Sequence, residues 1–340
     1  MELSMILFTA VNAVLPIVLL ILFGYWLKVK RFLSDEFLTI GNKLVFNVCL
    51  PCMLFTNVYE IENISYIRWD VVLYCCVMIL AVFLIGTSLA VLTTSEPKCR
   101  GVIAQCVFRS NMAIIGLTLA ASLGGQEAVA AAAVVSAFTV PVFNILAVIS
   151  LSMFVRQDHN ENRVLGVLKK IATNPLILGI AAGMICLLAR QLQTALWGEQ
   201  VLLINRELKF VYTCVSNLGK ITSPFAMLVL GGQFTFSAVS GLRKEILVGT
   251  FGRIIIAPLL GIGTAVALTL AGILDFDASV YPALIAVFGT PTAVSSAIMA
   301  RQMNHDEQLA TQLVVWTSIG SIFTIFGTVC VLLALGLLAV

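Results

Sequence analysis

Ten stretches of roughly twenty or more apolar residues follow one another along this chain, with only short polar connections between them. A helix needs about 20 such residues to cross the hydrocarbon core of a bilayer. The stretches fall at about 5–27, 38–58, 70–92, 102–124, 128–154, 175–195, 208–231, 246–271, 280–303 and 309–338. Only helices and closed barrels satisfy their backbone groups in lipid, and runs of this length predict helices. Composition agrees. Of 340 residues, 60% are hydrophobic and 11% charged, too few charges to coat a water-facing surface, for which about a quarter is usual. The expectation is an all-α integral membrane protein of ten transmembrane helices, solvated by the lipid bilayer.

The net charge of +3 is too weak to indicate nucleic acid, and its basic residues form small clusters between apolar runs rather than a patch. Those clusters carry orientation. Lys28, Lys30, Arg31, Lys98, Arg100, Arg156, Arg163, Lys169, Lys170, Arg243, Lys244 and Arg301 follow odd-numbered spans, against Arg68, Arg206 and Lys209 after even-numbered ones. Positive loops stay inside, so both termini are expected outside a cell membrane. Glu2 and the absence of a basic leader argue against a cleaved signal.

The polar segment around 155–173 separates five spans from five, giving residues 1–154 and 174–340 as two repeats joined by a cytoplasmic linker. An odd number of spans per half forces the halves into opposite orientations, the inverted repeat of many secondary transporters. Pro51 in span two is echoed by Pro224 in span seven, and Pro16 with Gly24 in span one by Pro175, Gly179 and Gly183 in span six.

The fourth span of each half carries a polar, helix-weakening knot: Arg109-Ser110-Asn111 with Gly116 in one, Gly289-Thr290-Pro291-Thr292 in the other. Both knots lie roughly 14–17 Å deep, near the midplane. Broken backbone at that depth must be buried in protein or line a cavity, and paired breaks point to a transport site. Each break exposes a helix N-terminus suited to an anion. Taken singly, Asn111 and Pro291 would also fit ordinary packing kinks.

Several motifs together, FRSNMAIIGLTLA, GTPTAVSSAIMARQMNHDEQLA, the Pro51 and Pro224 segments and RIIIAPLLGIG, resemble the auxin efflux carrier family over essentially the whole chain. That family spans plant auxin exporters and bacterial permeases for malate, malonate and related acids. The resemblance implies two inverted five-helix repeats whose broken helices four and nine cross beside the substrate, with Asn111 and Pro291 at the crossing. It also implies a static domain of spans one, two, six and seven, through which a homodimer would form. Thr118 departs from the proline that many members carry there, which predicts a gentler break in span four.

Charges within spans are functional candidates by default. Arg109, Lys220 and Arg253 lie deep, Lys43 and Arg190 nearer the ends, while Asp70, Glu127 and Asp275 fall at span edges. A basic interior predicts an anionic client. The expected substrate site is Arg109, Ser110, Asn111, Pro291, Thr292 and Ser295, with Asn47, Asn144 and Lys220 from neighbouring spans and Thr290 and Ser296 beside the break. The competing reading makes the deep cations caps of backbone carbonyls or snorkelling side chains.

Both histidines, His159 and His305, fall in loops, so no buried proton relay is expected. Exporting a monoanion from a cell negative inside gains about 2.3 kcal/mol per 100 mV. The expected function is therefore an efflux carrier or exchanger for a small mono- or dicarboxylate, with Na⁺-coupled uptake as the alternative and a channel or an intramembrane enzyme ranked behind it. No cofactor or metal is expected. Cys49-x-x-Cys52 lies mid-span without a second pair, and Asn304-His305-Asp306-Glu307 reads as a helix cap with Asn304 as N-cap. An intramembrane enzyme would need a nucleophile with a base or a buried acid pair, and the spans supply neither.

Overall fold

A computed structural model describes residues 3–60, 68–154, 172–198, 203–235 and 238–338. Most of the 155–173 linker, with Arg156, His159, Arg163, Lys169 and Lys170, lies outside the described residues, as does the side chain of Glu127. The described residues are helical with no β-strand.

The helices follow the apolar runs closely. They are α1 (Leu3–Val29), α2 (Asp35–Tyr59), α3 (Trp69–Thr93), α4 (Pro97–Phe108), α5 (112–123) and α6 (126–152). The second half contributes α7 (Pro175–Trp197), α8 (Lys209–Gln233), α9 (Arg243–Leu270), α10 (281–289), α11 (Ser295–Gln302) and α12 (Glu307–Ala334). Six helices among the described residues are long and apolar enough to cross a membrane.

Helix ends follow local chemistry. Ser34 accepts from the Phe37 amide and Asn174 from Leu176, each satisfying an orphan N–H at a helix start. Gly124 and Gly125, the latter at φ +62°, turn the chain between α5 and α6; a left-handed φ costs glycine little. The cap of α12 differs from expectation. Asp306, not Asn304, accepts from the Leu309 amide, while Asn304 takes a left-handed φ of +59° and Glu307 pairs with Arg301 at 2.7 Å.

The outer surface carries Leu73, Leu92, Leu178, Ile185, Phe210 and Leu259, all well exposed. Apolar exposure on this scale calls for lipid rather than water. Inside, a continuous core runs from Ile79 and Ile103 through Leu119 and Leu284 to Val314.

The helices sort into two packed groups, which are joined where α1 also lies on α12. α1 lies on α8, and α2 on α7 and α8. The contacts are close because glycines meet backbone: Gly24 faces the Leu228 carbonyl, Gly231 the Ile21 carbonyl, and Gly183 the Phe55 carbonyl at 2.9 Å from where a Cβ would stand. The remaining helices surround α4, α5, α10 and α11. Tyr74 of α3 ties to α9 there, donating to the Gly261 carbonyl at 2.7 Å.

At one rim of this second group Arg68 bonds Asp277 at 2.9 Å and Asp70 at 2.7 Å. The Ser279 hydroxyl and amide, with the Arg68 guanidinium, hold the Asp277 carboxyl below the usual carboxylate range. A depressed folded-state pKa gives stability present above about pH 4 and lost as pH falls further. Asp277→Asn should therefore flatten the acid side of the thermal-stability profile. The change should stay below about 1 kcal/mol, because the pair is exposed and screened.

Candidate transport site

The two broken helices meet each other. α4 ends at Phe108, and Arg109 (φ −85°, ψ 108°) and Asn111 (φ −88°, ψ 48°) leave helical geometry before α5 opens with a π turn, Met112–Gly116. α10 ends in a second π turn, Ile285–Gly289, and Thr290 is extended (φ −74°, ψ 155°) before α11 begins. Similar π turns interrupt α2 at Val45–Cys49 and α9 at Gly252–Ile256 and Leu259–Gly263, so the turn type alone does not mark the crossing.

Where the breaks cross, Ser110 and Thr292 form an antiparallel bridge. The Asn111 amide donates to the Pro291 carbonyl at 2.8 Å, and the Ala293 amide to the Arg109 carbonyl at 3.3 Å. The Thr292 hydroxyl also donates to the Arg109 carbonyl, at 3.1 Å, and its amide to the Thr317 hydroxyl, at 3.2 Å. Backbone groups that a helix would have satisfied are thus paired across the break. The chain stays helical through Thr118, whose side chain is not described; the break lies upstream of it.

A narrow cavity of about 50 Å³ lies against this crossing. Arg109, Ser110, Asn111, Ala293, Val294 and Ser295 form one side, where α5 and α11 begin. α6 adds Val140, Phe143 and Asn144; α2 adds Leu50, Met53 and Leu54; α8 adds Thr222, Ser223 and Ala226. The cavity therefore lies between the two groups of helices.

Arg109 is 3% exposed. Its Nη2 donates to Asn144 Oδ1 at 2.8 Å and Ser295 Oγ at 2.9 Å, and its Nη1 to the Met299 sulfur. Asn144 is held in turn, its Nδ2 donating to the Val140 carbonyl at 2.8 Å. All of these partners are neutral, so among the described residues no carboxylate balances the guanidinium. The Ser110 hydroxyl is buried beside it with no hydrogen-bond partner.

Of the residues picked from sequence, the structure gathers Arg109, Ser110, Asn111, Asn144 and Ser295 around one cavity. Pro291, Thr290 and Thr292 build the crossing but do not line the cavity. The Ser296 hydroxyl is buried without a partner one residue along α11. Asn47 stays outside the cavity: it is exposed, and its Nδ2 bonds the Lys43 carbonyl one turn back. Lys220 likewise sits on an exposed face of α8, away from the cavity. Arg253 turns away from the cavity and bonds backbone carbonyls, as the capping reading anticipated. Leu50, Met53 and Leu54 beside Pro51, and Thr222, Ser223 and Ala226 beside Pro224, complete the walls; only the neighbouring prolines signal these stretches in the sequence. Cys49 and Cys52 are free thiols.

A lipid-facing helical protein whose broken helices cross at an internal cavity has the build of a membrane transporter. The sequence profile of the family described as "Membrane transport protein" matches residues 9–329. The chain belongs to that family, the one that holds the auxin efflux carriers. It is similar to an uncharacterized transporter of Methanocaldococcus jannaschii, 22% identical over 92% of this chain and 96% of that protein. It is also similar to an uncharacterized transporter of Methanothermobacter thermautotrophicus, 24% identical over 94% of this chain and 98% of the other.

Proposed function

We propose that the protein is a secondary carrier for a small organic anion, binding one carboxylate at the crossing and exposing it to each side in turn. The observation that carries this reading is Arg109, a buried guanidinium with only neutral partners, facing a cavity between the starts of α5 and α11. An unbalanced buried charge is costly, and an anion would compensate it. The two helix N-termini add partial positive charge from the same side, and the partnerless Ser110 hydroxyl offers a donor.

Ten spans in two inverted repeats, 1–154 and 174–340, account for the packing. Gly24 lies eight residues after Pro16 and meets the residue four after Pro224; Gly183 lies eight after Pro175 and meets the residue four after Pro51. Equal offsets in both halves are what an inverted repeat predicts. α1, α2, α7 and α8 then form the static domain, also the natural surface for a homodimer. The other helices carry the crossing, and the cavity opens when the two groups part. The protein sits in the cell membrane with both termini outside, and spontaneous efflux or exchange follows the membrane potential.

Counterflow of labelled malate in proteoliposomes, with unlabelled mono- and dicarboxylates competing, tests this reading. Trans-stimulated exchange of at least one acid, with no requirement for a Na⁺ or pH gradient, is expected. Silence across the whole acid panel would remove the anion assignment.

A further inference from the structure

In carriers built from inverted repeats, carbonyl oxygens at the C-terminal ends of broken half-helices are the groups that hold a coupling cation. Here those oxygens already have a partner. α4 ends at Phe108 and α10 at Gly289, and a helix leaves its last carbonyls without intrahelical donors. Arg253 of α9 reaches both ends at once.

Its Nε donates to the Thr290 carbonyl at 2.8 Å. Nη1 donates to Val107 at 3.2 Å and Phe108 at 3.1 Å, and Nη2 to Val287 at 3.0 Å and Phe288 at 3.2 Å. A guanidinium has five N–H donors and no acceptor, so every donor has its own carbonyl. The residue is 0% exposed, and no carboxylate among the described residues pairs with it. Gly252 lets α9 come this close: a Cβ there would stand 2.5 Å from Cγ2 of Val107.

We propose that Arg253 is a tethered cation standing where a coupled carrier would hold Na⁺, tying the two half-helix ends into one rigid crossing that needs no coupling ion. It is a positioning residue, since it touches the backbone of the crossing and not the cavity. The charge pattern follows. The partial negative ends of α4 and α10 are neutralised by Arg253, while the partial positive starts of α5 and α11 remain on the cavity side with Arg109. The inference rests on reading the crossing as the transport centre.

The test is amide hydrogen exchange of the full chain in nanodiscs without substrate. Arg253→Ala leaves five carbonyls around a hollow the size of one guanidinium. Amides in 105–112 and 287–294 should then exchange at least about tenfold faster, with α2, α7 and α8 unchanged. Millimolar guanidinium ion should restore protection in Arg253→Ala, and Na⁺ should restore part of it; neither should change the parent. Arg253→Lys keeps the charge with three donors, so it should show intermediate protection and no response to guanidinium.

Parent-like exchange in Arg253→Ala overturns the proposal, as does protection of parent and variant alike by guanidinium, or protection of the parent by Na⁺. If Arg253→Ala does not fold, Arg253→Lys decides alone, and unchanged protection there overturns it. Counterflow plays no part in this experiment, so a failed acid panel would count against the anion reading and leave the clasp standing.

Discussion

Arg109→Ala should abolish anion exchange while the protein stays folded. Among the described residues lining the cavity Arg109 is the one cation, and losing one partner of a buried, hydrogen-bonded charge pair costs about 2–5 kcal/mol. Counterflow should therefore fall by at least about thirtyfold. The fold should survive because the Arg109 carbonyl, which accepts from Ala293 and Thr292, belongs to the backbone and is kept. Arg109→Lys retains the charge but cannot fork to Asn144 and Ser295 together. It should raise KM more than it lowers the maximal rate. Normal exchange by Arg109→Ala, with an unchanged melting temperature, would make Arg109 a structural residue and leave the client unassigned.

Gly231→Val should collapse the packing of α1 on α8. Even a Cβ at this position runs into the Ile21 carbonyl, and backbone cannot give way as a flexible side chain can. Overpacking costs about 1–3 kcal/mol in ordinary cores, and a backbone collision belongs at or beyond the upper end. The expected readout is loss of folded protein on detergent extraction, or a markedly lower melting temperature. Gly327→Ala in α12 is the matched control. Nothing lies within 4 Å of a Cβ there, and alanine is favoured over glycine in a helix by about 1 kcal/mol. A Gly231→Val protein as stable as its parent would mean that α1 and α8 are not held by that approach.

The breaks at Arg109–Asn111 and Gly289–Thr292 were legible because polar and helix-weakening residues stand out in an apolar background. The cavity was only half legible. Arg109, Asn144 and Ser295 are buried polar groups that need partners, and that need is written in residue type. Leu50, Met53 and Ala226 are ordinary apolar residues whose place on the wall depends on which helices meet. Asn47 misled for a local reason: an amide near mid-span can satisfy itself on the Lys43 carbonyl without facing anything. Arg253 could not be resolved, because its acceptors lie 34 to 146 positions away in sequence. The α12 cap went to Asp306 rather than Asn304 because the chain turns left-handed at Asn304 first.

The glycine contacts join helices that are made far apart in time. α1 rests against α8 and α2 against α7, so the opening helices find their permanent neighbours only in the second half of the chain. During synthesis, α1 and α2 wait in the bilayer with Gly24 and the backbone at Phe55 uncovered until residues 175–233 have been inserted. The same interlocking gives the two halves a reason to find each other. Residues 1–154 and 174–340 made as separate polypeptides would each carry half of every such contact, and assembly would replace the missing peptide link.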